Sequence, residues 1–77
     1  MSKLPQVKAR HLVKIARKLG FVFNRQAGSH AIYTHPDGRR TTIPVHPSKN
    51  IGIGLLNAIL DDDFEITREE FLKLLKK

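Results

Sequence analysis

The sequence predicts an α+β fold, a three-stranded antiparallel sheet with helices packed on one face. Three observations predict it. Apolar residues recur at helical spacing across residues 7–20. From Phe21 the period changes to two. A Pro36-Asp37-Gly38 turn then separates two extended runs, and two apolar clusters of helical spacing close the chain. The predicted order is helix, three strands, helix, helix, in a single domain, because 77 residues supply one thin core and not two.

In the first helix Leu12, Ile15, Ala16 and Leu19 share a face. Pro5 lies just ahead of it, and Gly20 suits the left-handed residue that ends a helix. Arg10, Lys14, Arg17 and Lys18 form a cationic stripe away from the core, the ordinary character of an outward face. Phe21 and Phe23 share a strand face and are expected to anchor the core rather than stack on bases. Residues 24–28 read as a short polar turn. Residues 29–46 read as a hairpin: Pro36 presets the first turn position and Gly38 takes the left-handed one. This register pairs His35 with Arg39, Tyr33 with Thr41, Ala31 with Ile43 and Ser29 with Val45. Ala31, Tyr33, Ile43 and Val45 then face the core, while His30, Ile32, Thr34, Arg40, Thr42 and His46 face away. A two-residue Asp37-Gly38 loop would slip the pairing by one and turn His30 onto the apolar face. The first register is preferred because it buries no unpaired imidazole. Residues 47–54 read as a loop, and Leu55, Leu56, Ile59 and Leu60 as a short helix. Asp61, Asp62 and Asp63 oppose the macrodipole at its C-terminal end and are expected to stop it. Thr67-Arg68-Glu69-Glu70 is a capping box, with Ile66 placed to staple to Phe71, so a third helix is expected over residues 68–76.

The charge is placed unevenly. The net charge is +7, with +9 on residues 1–60 and −2 on residues 61–77. A basic body points to a polyanionic partner, nucleic acid ahead of membrane. No apolar stretch approaches the ~20 residues of a membrane span, and no signal-peptide run opens the chain. There is no cysteine, which fits a reducing compartment. The expectation is a cytoplasmic protein with no membrane contact.

The chemistry-bearing residues concentrate in residues 28–46, which hold three of the four histidines and the adjacent pair Arg39 and Arg40. Imidazole offers both protonation states near neutrality. RNA carries its own nucleophile in the 2′-hydroxyl. Cleavage therefore needs a proton acceptor, cations on the phosphate and a proton donor for the leaving oxygen. The residues alone leave two readings open, a proton-transfer site or histidines on a plain polar sheet face. No metal or other cofactor is expected, since His30, His35 and His46 lack the i, i+4 spacing of helical zinc ligands.

The chain resembles the HicA toxin family of toxin–antitoxin pairs. The residues carrying the resemblance are Leu19-Gly20-Phe21, Arg25, Gly28-Ser29-His30, Tyr33, residues 35–40 (His-Pro-Asp-Gly-Arg-Arg), Pro44-Val45-His46, and Gly54 with Leu56 and Ile59. They match in order across about residues 4–60, leaving residues 61–77 as a helical extension of the same domain. The chain departs from the common pattern at Asn57, where a basic residue is frequent. The resemblance implies a fold like a double-stranded-RNA-binding domain and an mRNA endonuclease with its catalytic histidine at His30. It also implies a HicB-type antitoxin partner, the toxin being monomeric when free and part of a hetero-oligomer when bound. With it, Arg25, Ser29, Arg39, Arg40, Lys49 and His46 become candidate RNA contacts, His46 also a second proton carrier. The rival expectation is an RNA-binding module with the same fold and no catalysis.

Overall fold

The computed structural model describes residues 4–76. The chain forms β1 (Val7–Lys8), α1 (Ala9–Leu19), β2 (Val22–Ala27), β3 (His30–Thr34), β4 (Arg40–Pro44), β5 (Asn50–Ile51) and α2 (Ile53–Ala58). A π-helical turn (Ile59–Phe64) and α3 (Arg68–Lys76) complete it. The main sheet is antiparallel with strand order β2-β3-β4, and β1 pairs with β5 in a separate two-stranded ribbon. This is the expected α+β architecture, consistent with a double-stranded-RNA-binding-domain arrangement.

Helix α1 carries the expected apolar face but starts at Ala9 and not at residue 7, because Val7 and Lys8 pair with β5 as β1. Leu12, Ile15 and Ala16 are buried, and Gly20 at φ 102° closes the C-terminal end. The Gly20 N–H donates to the Arg17 carbonyl and the Phe21 N–H to the Ala16 carbonyl, so two orphan carbonyls are satisfied. The N-terminal end is held from a distance. The Ala9 N–H donates to the Lys49 carbonyl (2.9 Å) and the Arg10 N–H to the Pro47 carbonyl (3.1 Å). His11 Nδ1 accepts the Lys8 N–H at 3.0 Å, which gives this helical histidine a capping role. The 47–54 segment expected as a loop thus contains β5 and serves as the cap of α1.

The β3–β4 hairpin adopts the three-residue-loop register. His30 pairs with Pro44, Ala31 with Ile43, Ile32 with Thr42, Tyr33 with Thr41 and Thr34 with Arg40. The Gly38 N–H closes the turn onto the His35 carbonyl, with Gly38 at φ 99°. Residues 24–28 are not a turn. Strand β2 runs through them with a bulge at Asn24, and a two-residue loop, Gly28-Ser29, leads into β3. Gly28 takes φ 59° at the first loop position, where such tight hairpins favour glycine.

Phe21 is buried against Phe64 (5.3 Å between centroids), but Phe23 is 52% exposed. Phe23 does face the helix side, paired with Tyr33, yet α1 lies over β4 and α3 and leaves the outer strand β2 uncovered. The aspartate run does not end the second helix. The chain widens into a π turn that carries Phe64 into the core, and Glu65 in the left-handed conformation (φ 56°) ends it. Burial of Ile59, Leu60 and Phe64 outweighs the ~0.3–1 kcal/mol of an unfavourable end charge. Asp61 and Asp62 remain in solvent. Asp63 accepts the hydroxyl of buried Thr41 at 2.9 Å and fastens the turn to β4. Helix α3 starts with the capping box, the Glu70 N–H donating to Thr67 Oγ1 and the Thr67 N–H to Glu70 Oε1. Phe71 is its buried anchor.

Candidate nucleic-acid interface

Strand pairing divides the main sheet into two faces, because directly paired residues point the same way. The core-facing side holds Ala31, Tyr33, Thr41 and Ile43. The far side carries three ranks: Ala27, His30 and Pro44; Arg25, Ile32 and Thr42; Val22, Thr34 and Arg40. Ile32 is the one shielded residue of this face, with 7% accessibility, and it stands outside the core cluster. Among the described residues none of the three ranks contains a carboxylate.

His30 is exposed at the start of β3. Arg25 is opposite Ile32, hence diagonal to His30, at the ~7–8 Å backbone separation that long side chains span. Ser29 occupies the adjoining loop, and its carbonyl accepts the Val45 N–H at 2.9 Å. This bond holds residues 45–46 beside the Gly28-Ser29 loop, so exposed His46 follows directly beyond the His30 end of the sheet. Arg40 is exposed at the opposite end of the face, beside Thr34. It is ~13 Å along β3 from the His30 rank, four residues at ~3.3 Å each.

Arg39 and Lys49 lie elsewhere. Arg39 Nε binds Asp37 Oδ2 at 2.8 Å, its Nη1 donates to the Phe64 carbonyl, and its guanidinium covers the Phe21 ring at 5.3 Å. A guanidinium held by three partners joins the hairpin tip to the π turn. The same Asp37 also accepts the Arg39 N–H, and these bonds hold its carboxyl below the usual range despite opposing desolvation. Lys49 is in the segment capping α1, away from the sheet face. His35 is half-buried at the same tip. Its Nε2 donates to the Leu19 carbonyl at 2.8 Å, its Nδ1 meets Asp37, and its ring packs edge-on against Phe21. Among the described residues Asp63 is the one carboxyl pushed upward, by burial first and by Asp62 beside it, against the Thr41 hydroxyl bond. Among the described residues no three His, Asp or Glu side chains converge as a metal site would require.

Behind this face, between α1 and β2, lies a groove of about 340 Å³ lined by Arg10, Val13, Phe23, Gln26, Tyr33 and Val45 among others. Sequence reasoning placed Phe23 in the core and missed this feature. Arg10 of the cationic α1 stripe lines one wall of it, but in the sequence that stripe has the ordinary character of an outward helix face.

Against this geometry, a family model described as the HicA toxin of bacterial toxin–antitoxin systems matches residues 9–63. The chain belongs to the HicA toxin family. It is a toxin of a toxin–antitoxin system, and an antitoxin is its counterpart. The match begins at the first residue of α1 and ends one residue short of Phe64, so α3 lies beyond it. Comparison with individually curated proteins gives no match. Among the described residues no helix of this HicA chain is long and apolar enough to cross a membrane.

Proposed function

We propose that this HicA chain is a metal-independent mRNA endoribonuclease working on the open sheet face. His30 takes the proton from a ribose 2′-hydroxyl as that oxygen attacks the adjacent phosphorus. The P–O5′ bond breaks, the leaving oxygen takes a proton from an acid, and the products carry a 2′,3′-cyclic phosphate and a 5′-hydroxyl. Arg25 stabilises the charge on phosphorus, and Arg40 holds a phosphate further along the strand. His46 is the second imidazole at the His30 end and the best placed proton donor. Ser29 bonds a phosphate oxygen beside it. A HicB-type antitoxin silences the toxin by covering this face.

One observation carries the reading. An exposed imidazole stands diagonal to a guanidinium on a sheet face that offers no carboxylate to compete for the proton. The test is RNA cleavage in chelator, comparing the wild type with His30→Ala and His30→Gln. The expected result is loss of cleavage by 100-fold or more, on the order of a general base's contribution, with melting unchanged. Retention of cleavage by both variants would remove His30 from the chemistry. Absence of cleavage in the wild type, with binding intact, would favour a non-catalytic RNA-binding module.

A further inference from the structure

We propose that the groove between α1 and β2 is a nucleobase subsite, taking one unstacked base of single-stranded RNA on the Phe23 ring. The proposal deepens the endoribonuclease reading and rests on its assignment of RNA as the ligand. Four observations support it. Phe23 is 52% exposed, an aromatic face turned to solvent beside a concavity. Its ring meets Tyr33 edge-on at 5.8 Å, which fixes its orientation and leaves its outer surface open. The groove of about 340 Å³ falls at the small end of the ~300–1,000 Å³ of ligand pockets, the size for a base rather than a duplex. Its helical wall bears Arg10, and Lys14 and Arg17 continue the same face at i+4 and i+7; none of the three is ion-paired among the described residues.

Aromatic platforms flanked by cations that follow the backbone are how proteins hold single strands. The groove is also continuous with the proposed cleavage face. Gln26 lines it, whereas the residues on either side of Gln26, Arg25 and Ala27, point to the His30 side. Strand β2 is a sheet edge, so an RNA strand can pass around it with one base behind and the scissile phosphate in front. The occupant of the groove then selects which phosphate reaches His30.

The test uses fluorescein-labelled 2′-O-methyl hexanucleotides of A, C, G and U and an abasic hexamer. These probes cannot be cleaved through the 2′-oxygen, so binding is read independently of catalysis. Phe23→Leu keeps an apolar side chain and removes the ring; Phe23→Trp restores a ring. The expected result is base-dependent binding by the wild type and by Phe23→Trp. In Phe23→Leu affinity falls by about 5- to 150-fold, the span of one base–aromatic stack, towards the abasic level at unchanged melting temperature. Equal binding by wild type and Phe23→Leu, or equal binding of the abasic probe, overturns the subsite and leaves the cleavage reading standing. Displacement of the probes by an acidic peptide bearing one phenylalanine, bound more tightly than any hexamer, overturns it in favour of a protein dock. Failure of every hexamer to bind the wild type removes RNA as ligand, and both readings fall.

Discussion

Arg39 separates a structural from an RNA-binding use of the hairpin arginines. Arg39→Met keeps the aliphatic stem over Phe21 and removes the guanidinium. The hydrogen bond to the Phe64 carbonyl, a charged donor on a buried residue, contributes about 1.5–3 kcal/mol. The cation over Phe21 adds about 0.5–1 kcal/mol. The Asp37 pair is exposed and screened by solvent. The expected loss is about 2–4 kcal/mol, which in a domain of this size lowers the melting temperature by roughly 10–25 °C. Arg40, exposed on the open face, is the control: Arg40→Met should leave melting within about 2 °C and weaken RNA binding. Differential scanning fluorimetry with a binding titration reads both. If Arg39→Met melts like the wild type and loses RNA affinity instead, its guanidinium is free in solution and the tie between hairpin and π turn is wrong.

Two aspartates should respond to acid with opposite signs. Asp37 is held below its ordinary value of 3.8, so its stabilising contribution is complete above that pH and is lost as pH falls through the depressed folded value. Urea midpoints of wild type and Asp37→Asn should therefore converge in acid. Asp63 is raised, so its charge opposes folding above its folded value and the penalty disappears as pH drops to 3.8 and below. Asp63→Asn, whose amide oxygen still accepts the Thr41 hydroxyl, should be the more stable protein at pH 7 and lose that advantage in acid. Gly20→Ala should destabilise by about 1–3 kcal/mol from the left-handed backbone alone, and further because the added Cβ would stand 2.8 Å from His35 Nε2. A thermal melt showing Gly20→Ala at wild-type stability would contradict this.

The hairpin was legible in the sequence because local chemistry and side-chain alternation agree there. Pro36-Asp37-Gly38 fixes the loop, and Ala31, Tyr33 and Ile43 fix the face, so the exposure of His30 followed. Where the sequence misled, a distant partner decided the outcome. Alternation correctly put Phe23 on the side of Tyr33, but it could not report that α1 crosses β4 instead of β2. The dipole rule at residues 61–63 is local, and burial of Phe64 overrode it. Arg39 and Arg40 are neighbours of equal charge; only the tertiary position of the Phe64 carbonyl and the Phe21 ring tells them apart. His11 and Lys49 take their roles from a bond to the helix start, which periodicity does not reveal.

These distant contacts bear on the candidate site through register. Arg39, Thr41 and Ile43 alternate on the core-facing side of the returning strand, and two of the three are polar. A slip by one residue would turn all three to the other face and take Ile43 out of the core. The polar pair adds a second constraint, because each member has one partner on the π turn: Asp63 for Thr41 and the Phe64 carbonyl for Arg39. A one-residue slip would strand a carboxylate and a carbonyl at once, at about 1–3 kcal/mol for each buried group left without its bond. It would also leave His30 and Arg40 on opposite faces of the hairpin. The aspartate-rich turn, which contributes no group to the open face, therefore keeps Arg40 on the same face as the imidazole by fixing the strand next to it.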